Sequence, residues 1–158
     1  MSDTTFESVL TTIPNGTCPL PGVVAAGQPA PEAWTALQHA GVRTVVDLRP
    51  EWEPRGYDEP AAVRAAGLEY VSIPVTHEAL GDAEFDAMRE LLGDPDRRPI
   101  IVHCASSNRV GALLLPYFAL DMHEPLDAAL QLAKRAGLKS PDLASAAVDY
   151  VRRHIAAP

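Results

Sequence analysis

Cysteine is scarce in this sequence: 158 residues hold two, Cys18 and Cys104. The first residues carry no early Lys or Arg and lead into no apolar stretch, so neither a disulfide framework nor an export signal is expected. A reducing, cytoplasmic location with at least one free thiol is the expectation. Long hydrophobic runs are missing too. The longest, 110–120, is about half of what a bilayer requires and contains Gly111 and Pro116, so no membrane span is expected. Basic residues are few, 13 Lys and Arg against 21 Asp and Glu, and the net charge of −8 repels nucleic acid and anionic lipid at long range. An anionic substrate must therefore be captured by a local arrangement. Repeats and low-complexity tracts are absent, and 47% hydrophobic with 22% charged residues reads as one globular domain, 1–158. Its first 19 residues, rich in Thr, Ser and Pro, read as an irregular lead-in, in which Phe6, Val9, Leu10 and Ile13 can form a short docking element.

What is present is an alternation of short apolar runs with helical patterns. Strands are predicted at 23–26, 42–48, 68–75 and 99–102, the last fully apolar as in a buried parallel strand. Helices are predicted from Pro31 with Trp34, Leu37 and Ala40 inward, over 58–66, around Phe85, Met88, Leu91 and Leu92, and over 110–120. Two more carry the stripes Leu126, Ala129, Leu130, Ala133 and Leu143, Ala147, Tyr150, Val151, Ile155. This order predicts an α/β fold with a central, mostly parallel sheet of four to five strands flanked by helices, and ligands bind such sheets beyond the carboxyl ends of the strands.

Between the strand ending at Val102 and the helix starting near Val110 runs His103-Cys104-Ala105-Ser106-Ser107-Asn108-Arg109. Its residues must turn sharply with amide hydrogens directed inward, which makes an anion nest at a helix N-terminus. N–H dipoles and the Arg109 guanidinium favour a charged sulfur, so Cys104 is expected to be a thiolate nucleophile. Arginine suits the second role because its planar fork holds two oxygens of a tetrahedral phosphoryl group. A plainer reading makes Cys104 a small buried hydrophobe and Arg109 a surface charge.

These residues resemble the phosphate-binding loop of cysteine-dependent phosphatases. Together with Ala26-Gly27-Gln28-Pro29, 45–50 and 66–75, they make the stretch 14–134 similar to the bacterial dual-specificity-phosphatase-like family named for the phosphatase-like domain of beta-lactamase-hydrolase-like proteins. The resemblance implies a cysteine-phosphatase-like fold and a phosphocysteine route. Cys104 attacks phosphorus, Arg109 and the amides of Ala105, Ser106, Ser107 and Asn108 hold the oxygens, and no metal or organic cofactor takes part. The partner implied is a phosphorylated small molecule or a phosphoprotein.

This chain departs from the wider phosphatase pattern at three points. Four residues separate Cys104 from Arg109 where most such phosphatases carry five, a length shared with rhodanese-type sulfurtransferases; a Cys104 persulfide is thus the alternative, and a non-catalytic anion-binding module the third reading. Val110 stands where a Ser or Thr commonly assists the leaving thiolate, leaving Ser106 or Ser107 as substitutes. The general acid is sought in the loop after 68–75: Glu78 first, then His77 or Asp82, with ordinary solvated loop residues as the bland reading. His103 is expected to support the loop rather than to act as a base. Arg49 either adds positive potential at the site mouth, as a further phosphate-binding residue, or pairs with Glu51 or Glu53. Asp47 reads as a buried hydrogen-bond hub or an edge residue, Trp34 as core and Trp52 as rim. His39, His77, His103, His123 and His154 show no metal-ligand spacing, and Cys18 reads as an incidental thiol.

Overall fold

The computed structural model describes residues 9–156. Five strands form one sheet in the order β1-β2-β5-β3-β4, with β1 Thr17–Leu20, β2 Val23–Ala26, β3 Thr44–Asp47, β4 Glu69–Ser72 and β5 Ile100–His103. All pairings are parallel except β1 with β2. The helices are α1 Ala33–His39, α2 Glu59–Ala65, α3 Asp82–Leu92, α4 Asn108–Pro116, α5 Leu126–Arg135 and α6 Pro141–Ala156. The α/β architecture with a mostly parallel sheet is the one expected from the sequence.

Strand residues alternate between two cores because successive side chains leave opposite faces of a sheet. Val23, Ala25, Val46, Ile100 and Val102 pack with Phe85, Leu113, Ala129 and Tyr150 from α3 to α6. Val24, Ala26, Val45 and Ile101 pack on the other face with Trp34 and Leu37 of α1 and Val63 of α2. Apolar burial on both faces explains why the strands read as continuous β-branched runs. Strand β5 lies between β2 and β3, with His103 level with Ala26 and Asp47. The loop after His103 therefore leaves from the middle of the sheet, with neighbours on both sides.

The sequence reading needs correction at two points. The lead-in is not irregular throughout, since Thr17–Leu20 is an edge strand folded back on β2 through a Pro21-Gly22 turn in which Gly22 has φ +79°. Pro19 and the lack of alternation hid it. Val9 and Ile13 do pack into the core beside α1, while Phe6 lies outside the described residues. Ile155 is 64% exposed although Leu143, Ala147, Tyr150 and Val151 are buried, because α6 runs past the end of the core. Cys18 on β1 is exposed, Cys104 is buried, and both are free thiols. No described helix is long and apolar enough to cross a membrane.

Candidate active site

Strand β5 ends in a tightly held turn. The Cys104 amide donates to Ala26 O at 3.3 Å, and the Ala105 carbonyl accepts from the Gln28 amide at 3.2 Å. Ser107 has φ +72° and α4 begins at Asn108, so the chain reverses within four residues of Cys104. The first amides of the helix, from Asn108 to Val110, have no intrahelical acceptor and form its electropositive end. Two side chains of the loop face away from it. Buried Ser107 donates from Oγ to Ala136 O at 2.5 Å, and Asn108 Oδ1 accepts from the amides of Lys139 and Ser140 at 2.7 and 3.0 Å. Residues 136–140 thus clamp the turn from behind. Ser106 stays exposed and is the hydroxyl left on the open side.

Arg109 is held by a residue that the sequence reading assigned only as a possible partner of Arg49. Its Nη1 donates to Glu53 Oε1 at 2.6 Å and to Val75 O at 3.0 Å, and its Nη2 donates to Glu53 Oε2 at 3.1 Å. Burial opposes the Arg109 charge, but the Glu53 bond and the facing Cys104 outweigh it and leave its pKa raised. The bond from Arg109 likewise holds the Glu53 carboxyl below its ordinary value, against burial and with help from Arg49. The Nε–H of Arg109 is taken by no oxygen of the described residues. Arg49 donates to Glu53 at 2.8 Å, Gln28 Oε1 at 2.9 Å and Pro54 O at 2.8 Å, so its guanidinium supports Glu53 instead of facing the loop's anion seat.

Beneath the loop lies a polar cluster whose Asp47, Glu59 and His103 side chains have no exposure to solvent. His103 Nε2 is 2.5 Å from Glu59 Oε2, and Nδ1 is 3.4 Å from the Cys104 carbonyl oxygen. Gln28 donates to Glu59 Oε1 at 2.7 Å. Asp47 is a hub, accepting from the Arg49 amide, Arg55 Nε and Tyr70 OH at 2.9, 2.9 and 2.7 Å. Tyr57, its phenol pushed up to about 12 by burial and the charge of Glu59, stays protonated and donates to Pro29 O at 2.8 Å. Donor atoms of Asp47, Glu59 and His103 lie within 4.8 Å of one another, a spacing seen in metal sites, but the cation beside Asp47 is Arg55, at 2.8 Å. Three separate elements supply this cluster, so no spacing along the chain signals it.

Trp52, Glu53, Thr76, His77, Glu78, Ser106, Asn108 and Arg109 line a cavity of about 340 Å³ over the loop. Glu78 and His77 are exposed on its rim, whereas Asp82 is paired with Arg153 at 2.8 Å and lines no part of it. Trp52 is 75% exposed there. Cys104 itself is 1% exposed. A larger groove of about 830 Å³ runs along β4 and α3 but shares no residue with the loop.

A cysteine and an arginine on one strand-to-helix turn agree with the match of residues 22–146 to the model of a family described as DSP-PTPase phosphatase fused to NAD+ kinase. The chain belongs to this family. A beta-lactamase hydrolase-like protein of Xylella fastidiosa is 32% identical over 94 residues, 57% of this chain and 21% of that protein. Its counterpart from Agrobacterium fabrum is 29% identical over 100 residues, 61% of this chain and 23% of the relative. The chain thus matches about a fifth of the curated relatives' length. Among solved structures, a DUF442 protein of Shewanella putrefaciens has a TM-score of 0.75 at 25% identity, covering 92% of this chain and 97% of that one. TpbA of P. aeruginosa, in complex with pTyr, has a TM-score of 0.71 at 21% identity, with 91% of each chain covered, and shares the fold. The chain is thus a DSP-PTPase-like domain with the cysteine-phosphatase-like fold of these neighbours.

Proposed function

We propose that this domain hydrolyses phosphate monoesters through a phosphocysteine on Cys104. The thiolate sulfur attacks phosphorus as the bond to the ester oxygen breaks, and a proton from Glu78, or from His77 beside it, neutralises the leaving alkoxide. Water then attacks phosphorus, the P–S bond breaks, and phosphate leaves while the thiolate returns. Ser106 is the hydroxyl placed to assist that departure, since Ser107 is committed to Ala136. The carrying observation is the anchored guanidinium. Glu53 and Val75 hold three N–H groups of Arg109, and the rest of its fork, which faces Cys104, is the part that would take phosphoryl oxygens. His103 and the amides of 105–108 support the loop and the anion, with no metal or organic cofactor in the reaction.

Exposed Trp52 at the cavity mouth favours an ester of an aromatic alcohol, as in a phosphotyrosine protein or a small aryl phosphate. The complex of TpbA with pTyr supports the same choice. The reading places the reaction in the cytoplasm, without nucleic acid or membrane partners. One observation favours a second reading: the four-residue spacing from Cys104 to Arg109 suits a single persulfide sulfur as well as a phosphoryl group. Assays with an aryl phosphate and, in parallel, with thiosulfate plus cyanide separate the two. Phosphate release that disappears in Cys104→Ser is expected; thiocyanate formation instead supports sulfur transfer.

A further inference from the structure

Arg55 belongs neither to the loop nor to the cavity, yet the supports of both reacting groups meet at its side chain. Its Nη1 donates to Glu53 O at 3.0 Å, and its Nη2 donates to Arg49 O at 2.7 Å and Pro50 O at 3.4 Å. One guanidinium therefore closes the turn of residues 49–53 on three carbonyl oxygens, with the Glu53 amide bonded to Pro50 O at 3.0 Å inside it. That turn carries the carboxylate that grips Arg109. The whole assembly is tied to the sheet by Asp47, at the end of β3, through Arg55 Nε and Nη2 at 2.9 and 2.8 Å.

On its other side the same guanidinium faces the nucleophile's support. Arg55 Nε is 3.7 Å from Glu59 Oε1, Glu59 Oε2 meets His103, and His103 reaches the Cys104 carbonyl. Asp47 and Glu59 have no solvent exposure, and the Arg55 cation between them, at 2.8 and 3.7 Å, adds to the bonds they accept from Tyr70 on one side and Gln28 on the other. A lysine can keep that charge, but it has no rigid fork to hold a carboxylate and three carbonyls together.

We propose that Arg55 is a positioning residue for the phosphatase reaction, setting Arg109 through the 49–53 turn and Glu53. The inference rests on the proposed phosphatase reading. It assigns a role to a residue that touches no reacting atom. Small displacements of an oriented group lower rates steeply, so the arrangement predicts a kinetic effect larger than any loss of fold.

The test is Arg55→Lys in the full chain, alone and combined with Glu53→Ala, with aryl phosphate turnover and calorimetric titration of inorganic phosphate. The single Arg55→Lys change is expected to lower kcat/KM by about 10- to 100-fold and to weaken phosphate binding. With Glu53 already replaced, the same change should lower kcat/KM by less than about threefold, because the path from Arg55 to Arg109 is cut beforehand. Equal factors in the two backgrounds mean a general structural clamp and overturn the proposal, as does an Arg55→Lys protein with wild-type rates. If the wild type releases no phosphate, the phosphatase reading fails, and the titration decides alone: unchanged phosphate affinity in Arg55→Lys overturns the role of Arg55. Should the Arg55→Lys protein fail to fold, Asp47→Asn with Arg55→Gln removes both charges together, and the same comparisons apply.

Discussion

Substituting Gly137 by alanine tests the clamp behind the loop. Gly137 has φ +118°, and a Cβ there would lie 2.6 Å from Ser107 O, 2.7 Å from Ser107 Cβ and 2.8 Å from Ser107 C. The backbone conformation alone disfavours alanine by about 1–3 kcal/mol. Overpacking against a buried turn adds about 1–3 kcal/mol. A total of roughly 2–6 kcal/mol corresponds to a melting temperature about 5–20 °C lower for a domain of this size. Ser107 is the residue that must move, and it is two positions from Arg109, so kcat/KM should fall as well. Gly41 provides the control: it has φ +101° with nothing within 4 Å of a Cβ. Gly41→Ala should show the backbone effect alone, about 1–3 kcal/mol, with kcat/KM unchanged. Thermal melting and aryl phosphate kinetics on the three proteins decide the matter. A Gly137→Ala protein that melts with the wild type, or that loses no more than the Gly41→Ala protein, would refute the clamp.

Three further outcomes follow from the same contacts. Glu53 has its folded pKa below its unfolded value of 4.5, chiefly through the Arg109 bond, so its stabilisation is complete above 4.5 and disappears as pH falls through the lower folded value. The stability gap between wild type and Glu53→Gln, measured by urea unfolding, should therefore be constant near neutrality and close in that acid range. Glu59→Ala leaves Gln28 and His103 without their buried carboxylate and should destabilise by about 3–5 kcal/mol in urea. Trp52→Ala should raise KM for an aryl phosphate several-fold while leaving an alkyl phosphate unaffected, since the exposed indole bears no structural load.

Local signals made the frame and the loop legible in the sequence. The run Ile100-Ile101-Val102 reads as an interior strand and 110–116 as a buried helix, so the turn that carries Cys104 and Arg109 could be placed from spacing. The supporting residues were not. Glu59 reads as an acidic residue at a helix start, yet β5 brings His103 and β2 leads to Gln28 on either side of it, a juxtaposition that depends on strand order. Glu53 and Arg55 sit in a proline-rich loop whose course is set by hydrogen bonds between its own side chains and backbone, and such bonds leave no periodic trace. Strand β1 escaped for another reason: an edge strand needs only one partner and tolerates Pro19 at a position that donates no ladder bond.

Rapid acid quenching of the wild-type protein with an aryl phosphate, followed by peptide mass spectrometry, bears most directly on the chemistry. A phosphoryl group on the peptide containing Cys104, formed before phosphate is released and missing in Cys104→Ser, is the predicted result. Steady release of phosphate with no adduct on that cysteine, or with turnover surviving its replacement, would contradict the account.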